Sequence, residues 1–170
     1  MWTYCGQRRP DFAIEPGPGQ ESVWDYPRPP ELRSDARRVA VRHDGVLIAD
    51  STLACRVCET ASPPTFYLPP EDIRFERLVP VGGSSWCEWK GEARYWALAS
   101  DPAGAPIGWS YPSPTPAFEG IRDWLSFYPG RLEARVDGAR VEPQPGGFYG
   151  GWITPEIVGP CKGEPGTGGW

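Results

Sequence analysis

The chain has 170 residues and a formal net charge of −5, with 17 Lys and Arg against 22 Asp and Glu. Its 21 glycines and 22 prolines make about a quarter of the residues, roughly twice ordinary usage, and prolines at that density exclude a mainly helical protein. Nine Trp, seven Tyr and six Phe argue against a disordered chain, because disordered segments are poor in aromatic residues. A coiled coil and a collagen are also excluded, since there are no heptads and the glycines have no strict period.

An acidic chain does not draw in phosphate backbones, so nucleic acid is disfavoured as a partner, although Arg33, Arg37, Arg38 and Arg42 cluster locally. No apolar run is long enough to span a membrane. The start, Met1-Trp2-Thr3-Tyr4-Cys5, lacks the apolar stretch of a secretory leader. Five cysteines, an odd number, read as free thiols in a reducing compartment, and a cytoplasmic location is expected. Oligomeric state is not encoded in any pattern here.

In chain order, residues 1–36 form a Pro-rich arm, punctuated by Pro16-Gly17-Pro18-Gly19 and Pro27-Arg28-Pro29-Pro30. It is either held to the body by Trp24 and Tyr26 or left as a flexible tail. The body spans 37–142. Val39–His43, Asp44-Gly45 and Val46–Ala49 read as a β-hairpin, because Asp-Gly suits a turn whose central residues both need positive φ. Leu132–Val141, around Asp137-Gly138, reads as a second. Between them, strands are expected at Leu53–Thr60, Phe66–Leu68, Ile73–Val79, Ala93–Ala99 and Ile107–Tyr111. Phe118, Ile121, Trp124, Leu125 and Tyr128 form one helical stripe, which predicts a short helix over Pro116–Tyr128 that stops at Pro129-Gly130. Residues 143–170 are a Gly-rich arm whose rings, at Phe148, Tyr149 and Trp152, are expected to dock on the body. The predicted fold class is mostly β, with two antiparallel sheets, one short helix and Pro/Gly-rich arms.

Several stretches together resemble a known family. They are Ser51–Thr60, Pro63–Pro69, Cys87–Trp96, Trp109-Ser110-Tyr111-Pro112 and Phe127-Tyr128. They are similar to domain-of-unknown-function family 427, a bacterial family also labelled nucleotidyltransferase-like. The resemblance covers about residues 37–141, and its longer members carry comparable arms. It implies a β-tent-like fold, in which two antiparallel sheets meet at an angle. That group includes zinc-bearing domains and the ring-binding domain of cereblon, where a tryptophan cage holds a flat ring. It does not establish an activity.

The residues themselves divide between three chemistries. Cys55-x-x-Cys58 has the spacing of half a zinc site. A strand would send the two thiols to opposite faces, and no second pair exists, so zinc is disfavoured and no cofactor is expected. Cys87 stands three residues before Lys90, a cation that would favour its thiolate. With Glu59 it is the candidate for a transferase or hydrolase, though no general base is evident: the lone histidine, His43, lies beside a hairpin turn. Nucleotidyl transfer needs paired carboxylates for two metal ions, and Gly82-Gly83-Ser84-Ser85 is not followed by such a pair. The third chemistry is polar groups among rings. Arg56, Glu59, Tyr67, Lys90, Tyr95, Trp109 and Tyr111 all lie in the family-like stretches and suit an aromatic-lined cleft for a planar or anionic small molecule. Arg56 shares a strand face with Cys58, and Glu59 shares the other with Cys55 and Val57, so Arg56 and Glu59 converge only if the strand bends. A protein-interaction adaptor using the Gly-aromatic arm is the remaining alternative.

Overall fold

Both Asp-Gly pairs make the turns their chemistry predicts. In the computed structural model, which describes residues 2–170, Asp44 and Gly45 have φ of 47° and 77°, and Asp137 and Gly138 have 47° and 81°. Eleven strands build the body: β1 (Glu31–Asp35), β2 (Val39–His43), β3 (Val46–Ser51), β4 (Ala54–Cys58), β5 (Thr65–Tyr67), β6 (Leu78–Cys87), β7 (Gly91–Leu98), β8 (Gly108–Ser110), β9 (Leu125–Phe127), β10 (Glu133–Val136) and β11 (Ala139–Arg140). The two hairpins lie side by side in one four-stranded antiparallel sheet of order β11-β10-β2-β3, with Val41 opposite Ala134. A second four-stranded antiparallel sheet has the order β9-β8-β7-β6, and a three-stranded one the order β1-β4-β5. The fold is mostly β, as composition predicts.

Period-2 alternation explains the main core. Val39, Val41 and Ile48 point inward from the hairpin sheet and meet Phe66 and Leu68 from the β5 segment, and Leu78, Leu98, Leu125 and Phe127 from the second sheet. Trp152 of the C-terminal arm fills the middle. It is fully buried, stacks on Phe66 at 4.9 Å and donates its indole N–H to the Phe127 carbonyl at 2.9 Å.

Two local expectations are corrected. The helix predicted over Pro116–Tyr128 is a 3₁₀ segment over Pro116–Ile121, broken at Phe118, and the chain then enters strand β9. Phe118, Ile121 and Leu125 are buried as the stripe requires, but Gly120 weakens a helix here. The edge of β8 also offers backbone partners, which Leu125–Phe127 take up by pairing with Gly108–Ser110. The strand expected at Ile73–Val79 is interrupted by a 3₁₀ turn at Phe75–Arg77 and begins at Leu78. Gly82-Gly83 lies inside β6 as a bulge, with Gly83 at φ 90°.

The arms pack on each other as well as on the body. Glu21–Ser22 pairs in parallel with Ile157–Val158, and Glu142–Pro143 pairs with Trp152–Ile153. Trp24 and Tyr26 are buried, and Trp24 meets Tyr4, Phe12 and Trp170 at centroid distances of 5.1–5.2 Å. Arg28 ties the two ends together: its guanidinium donates to the carbonyls of Tyr4 (2.9 Å), Trp170 (3.1 Å) and Thr60 (2.9 Å). No helix among the described residues is long and apolar enough to cross a membrane.

Candidate functional site: a ring-lined cleft

The alternation that fills the core on one side of the strands opens a cleft on the other. Phe66 points into the core, whereas its neighbours Thr65 and Tyr67 face the cleft. Ala93 and Tyr95 of β7 face it too, while Trp96 turns away and donates to the Ser110 hydroxyl at 3.0 Å. Trp109 and Tyr111 flank Ser110 and therefore return to the cleft side. Val57 and Glu59, at the end of β4, close the floor. The cavity measures about 650 Å³, which suits a small organic ligand.

Six of the seven residues proposed as ligand-binding, namely Glu59, Tyr67, Lys90, Tyr95, Trp109 and Tyr111, line this one cleft. Arg56 does not. It lies on the opposite face of β4, with its guanidinium bidentate on Glu21 (2.9 and 3.3 Å) and its Nε 3.2 Å from Asp35. The strand does not bend enough for Arg56 and Glu59 to converge, and Glu59 pairs instead with Arg28 at 3.0 Å. Arg56 is thus corrected to a structural role.

The polar geometry of the cleft is built from rings and one turn. Trp109 donates its indole N–H to the Tyr67 hydroxyl at 3.0 Å, and Tyr67 lies 6.3 Å from Tyr111. Lys90 sits in the β6–β7 turn, closed by Gly91 at φ 101°, a conformation that side-chain-bearing residues rarely adopt. The turn is pinned from outside: Thr115 donates its N–H to the Lys90 carbonyl at 3.1 Å and its hydroxyl to the Trp89 carbonyl at 2.5 Å. The Lys90 ammonium lies over Tyr111 and Phe118, 5.6 and 5.9 Å from their centroids. No carboxylate among the described residues reaches it within ion-pair distance.

Protonation follows from burial. Desolvation pushes the Tyr67 and Tyr111 phenols up, so both remain neutral hydrogen-bonding groups at ordinary pH. Burial works to lower the Lys90 pKa, but the acidic groups around it, Tyr67, Cys87 and Glu59, outweigh that and hold it above the usual lysine value. Lys90 is therefore a charged ammonium in an aromatic setting.

The two cysteines of the Cys-x-x-Cys pair separate as a strand requires. Cys58 is buried against the arms with its thiol pushed up to about 11 by desolvation, and Cys55 lines a separate groove beside Leu32 and Trp124. Among the described residues no three His, Cys, Asp or Glu side chains come together in a metal-binding group. Cys87 lines the cleft near Lys90 and Tyr111, whereas His43 is in the hairpin sheet, 3.7 Å from Asp44, and does not line it.

Sequence reasoning missed part of the wall. Trp89 and Tyr128 lie within the family-like stretches but were not singled out. Trp2, Gln144, Tyr149 and Lys162 come from the arms and line the cleft as well. The C-terminal arm is folded onto it by Gln144, which accepts from the Gly151 N–H (3.1 Å) and donates to the Lys162 carbonyl (2.7 Å). Gly150 lies so close to the Trp109 ring that a Cβ there would collide with it. A single lysine in a Gly-rich tail carries no periodic signal, so only the fold could reveal it.

Fold and cleft together define a mostly β domain of antiparallel sheets with an aromatic cleft walled partly by its own arms. The family model for the domain of unknown function DUF427 matches residues 31–141, and the chain belongs to that family. The match includes β1, which the resemblance read from motifs left out. No curated protein matches the chain.

Proposed function

We propose that this protein binds a planar, anionic small molecule in the ring-lined cleft, with Lys90 as the hydrogen-bond donor to the anion and Trp109, Tyr67, Tyr95 and Tyr111 as the ring surfaces. The observation that carries this is Lys90 itself: a partly buried ammonium, fixed in a pinned turn, with no carboxylate partner. Its surroundings hold it charged, its contacts with Tyr111 and Phe118 supply only a modest attraction, and no carboxylate among the described residues forms an ion pair with it. An anion from solution completes the arrangement. The test is isothermal titration with 2-naphthoate. Binding that falls at least tenfold in Lys90→Met and survives in Cys87→Ser is expected. No binding, or binding indifferent to Lys90→Met, overturns the proposal.

A second reading has its own observation, the position of Cys87 in the same cleft beside Lys90 and Tyr111. There the cleft would be a transferase or hydrolase site with the Cys87 thiol as nucleophile and Lys90 as electrostatic partner. Cys87→Ser then abolishes turnover while leaving the unfolding midpoint unchanged.

A further inference from the structure

The cleft contains a second cation without an ion pair among the described residues. Lys162 is only 5% exposed, yet its ammonium has no ion pair and no hydrogen bond among the described residues. It lines the cleft, stacked over Trp2 at 4.5 Å and Tyr149 at 5.3 Å. Its backbone is held on both sides, with its N–H donating to the Ala61 carbonyl at 2.7 Å and its carbonyl accepting from Gln144 at 2.7 Å. The side chain is a placed group, not a surface lysine folded inward.

The two lysines contact different rings of the cleft. Lys90 lies against Tyr111 and Phe118, Lys162 against Trp2 and Tyr149, and they share no ring. A continuous run of contacts joins them. From Tyr111 it passes to Tyr67 at 6.3 Å, then through the 3.0 Å hydrogen bond to Trp109, and on to Gly150, the neighbour of Tyr149. The cleft wall along that run is therefore aromatic, with Tyr67 turned 90° to Trp109 and 47° to Tyr111. The other charges do not neutralise them: Glu59 is held by Arg28 at 3.0 Å, Glu88 is exposed, and Arg131 adds a further cation, stacked on Tyr128 at 4.2 Å.

Resting on the small-molecule reading above, we propose that the ligand class is a planar body with two separated anionic groups, one received by Lys90 and the other by Lys162. A dianion spanning the ring-lined cleft supplies a counter-charge to both ammoniums at once. Burial and the nearby Arg28 lower the Lys162 pKa, as expected of a cation whose counter-charge is supplied from outside. Trp2, Tyr149 and Lys162 lie outside the 31–141 segment that the family model matches. The second anchor thus belongs to the arms, and it makes them the part of this chain that sets its ligand preference.

The experiment is titration of the full chain at pH 7 with two probes, 2-naphthoate and 2,6-naphthalenedicarboxylate, followed by the same pair on Lys162→Met. The dicarboxylate is expected to bind at least tenfold more tightly than the monocarboxylate. Lys162→Met is expected to erase that gap, and Lys162→Arg to restore it. Equal affinity of the two probes for the unmodified protein, a measurement that needs no variant to fold, overturns the two-anion proposal and leaves the single-anion cleft standing. So does a gap that survives in Lys162→Met. If neither probe binds, the cleft reading fails and this proposal fails with it.

Discussion

The two faces of strand β4 treat cations in opposite ways. On one face Arg56 is closed into a network: Glu21 takes its two terminal nitrogens, Asp35 lies 3.2 Å from its Nε, and Arg37 bridges Asp35 at 2.7 Å to Glu156 at 2.5 Å. On the other face Val57 and Glu59 look into a cleft where Lys90 and Lys162 have no ion pair among the described residues. A buried cation whose partners lie in its own chain is part of the scaffold. On the reading proposed above, a cleft cation with none takes its counter-charge from a ligand. Sequence could not distinguish them, because an Arg and a Lys among aromatic residues look alike until the partners are located.

The largest expected effect lies on the paired face. Arg56→Met leaves Glu21 and Asp35 without a shared counter-charge, and breaking a buried pair commonly costs 3–5 kcal/mol. Here a loss of about 2 kcal/mol is expected, below that range, because Glu21 keeps the Tyr26 hydroxyl at 2.6 Å and Asp35 keeps Arg37. Urea denaturation reads it directly. A loss no larger than that of an exposed arginine would dissolve the contrast between the two faces.

The next effect is the acid dependence of that network. Burial raises the Glu21 and Asp35 pKa values, but hydrogen bonds from Arg56 and Tyr26 to Glu21, and from Arg37 to Asp35, outweigh it and leave both below ordinary carboxylates. A folded pKa below the unfolded one contributes stability that is complete above the unfolded value and is lost as pH falls through the folded one. Unfolding free energy should therefore hold steady from pH 7 down to about 5, then drop toward pH 3. In Arg56→Met the drop should be shallower. Equal slopes in the two proteins would show that Arg56 does not hold the carboxylates down.

The body was legible in the sequence wherever local chemistry decided the outcome. Asp44-Gly45 and Asp137-Gly138 announced their hairpins, and alternation along β4 foretold that Arg56 and Glu59 lie on opposite faces. It failed where a tertiary partner competed with local pattern, as when the edge of β8 drew Leu125–Phe127 out of a helical stripe. The same division holds for the cleft. Tyr67, Lys90, Trp109 and Tyr111 were found because they sit in recognisable stretches, whereas Lys162 and Tyr149 reach the site only through the folding of a Gly-rich arm. Arg56 was misassigned because its partner Glu21 is 35 residues away, and nothing local marks that pairing.

The smallest expected effect is the sharpest test of the comparison. If Lys90 is unpaired, its removal should cost the fold almost nothing. Its ammonium gains some attraction from Tyr111 and Phe118 but bears desolvation without a counter-charge. A methionine of similar length keeps the ring contacts through its thioether and removes the charge. Lys90→Met should thus change stability by no more than about 0.5 kcal/mol while weakening 2-naphthoate at least tenfold. Arg56→Met should do the reverse, lowering stability and leaving probe affinity within about twofold, because it touches no wall of the cleft. Measuring both variants by urea denaturation and by titration crosses the two properties. A Lys90→Met protein as unstable as Arg56→Met would mean that Lys90 is held by the fold after all, and the two faces of β4 would then differ in geometry but not in kind.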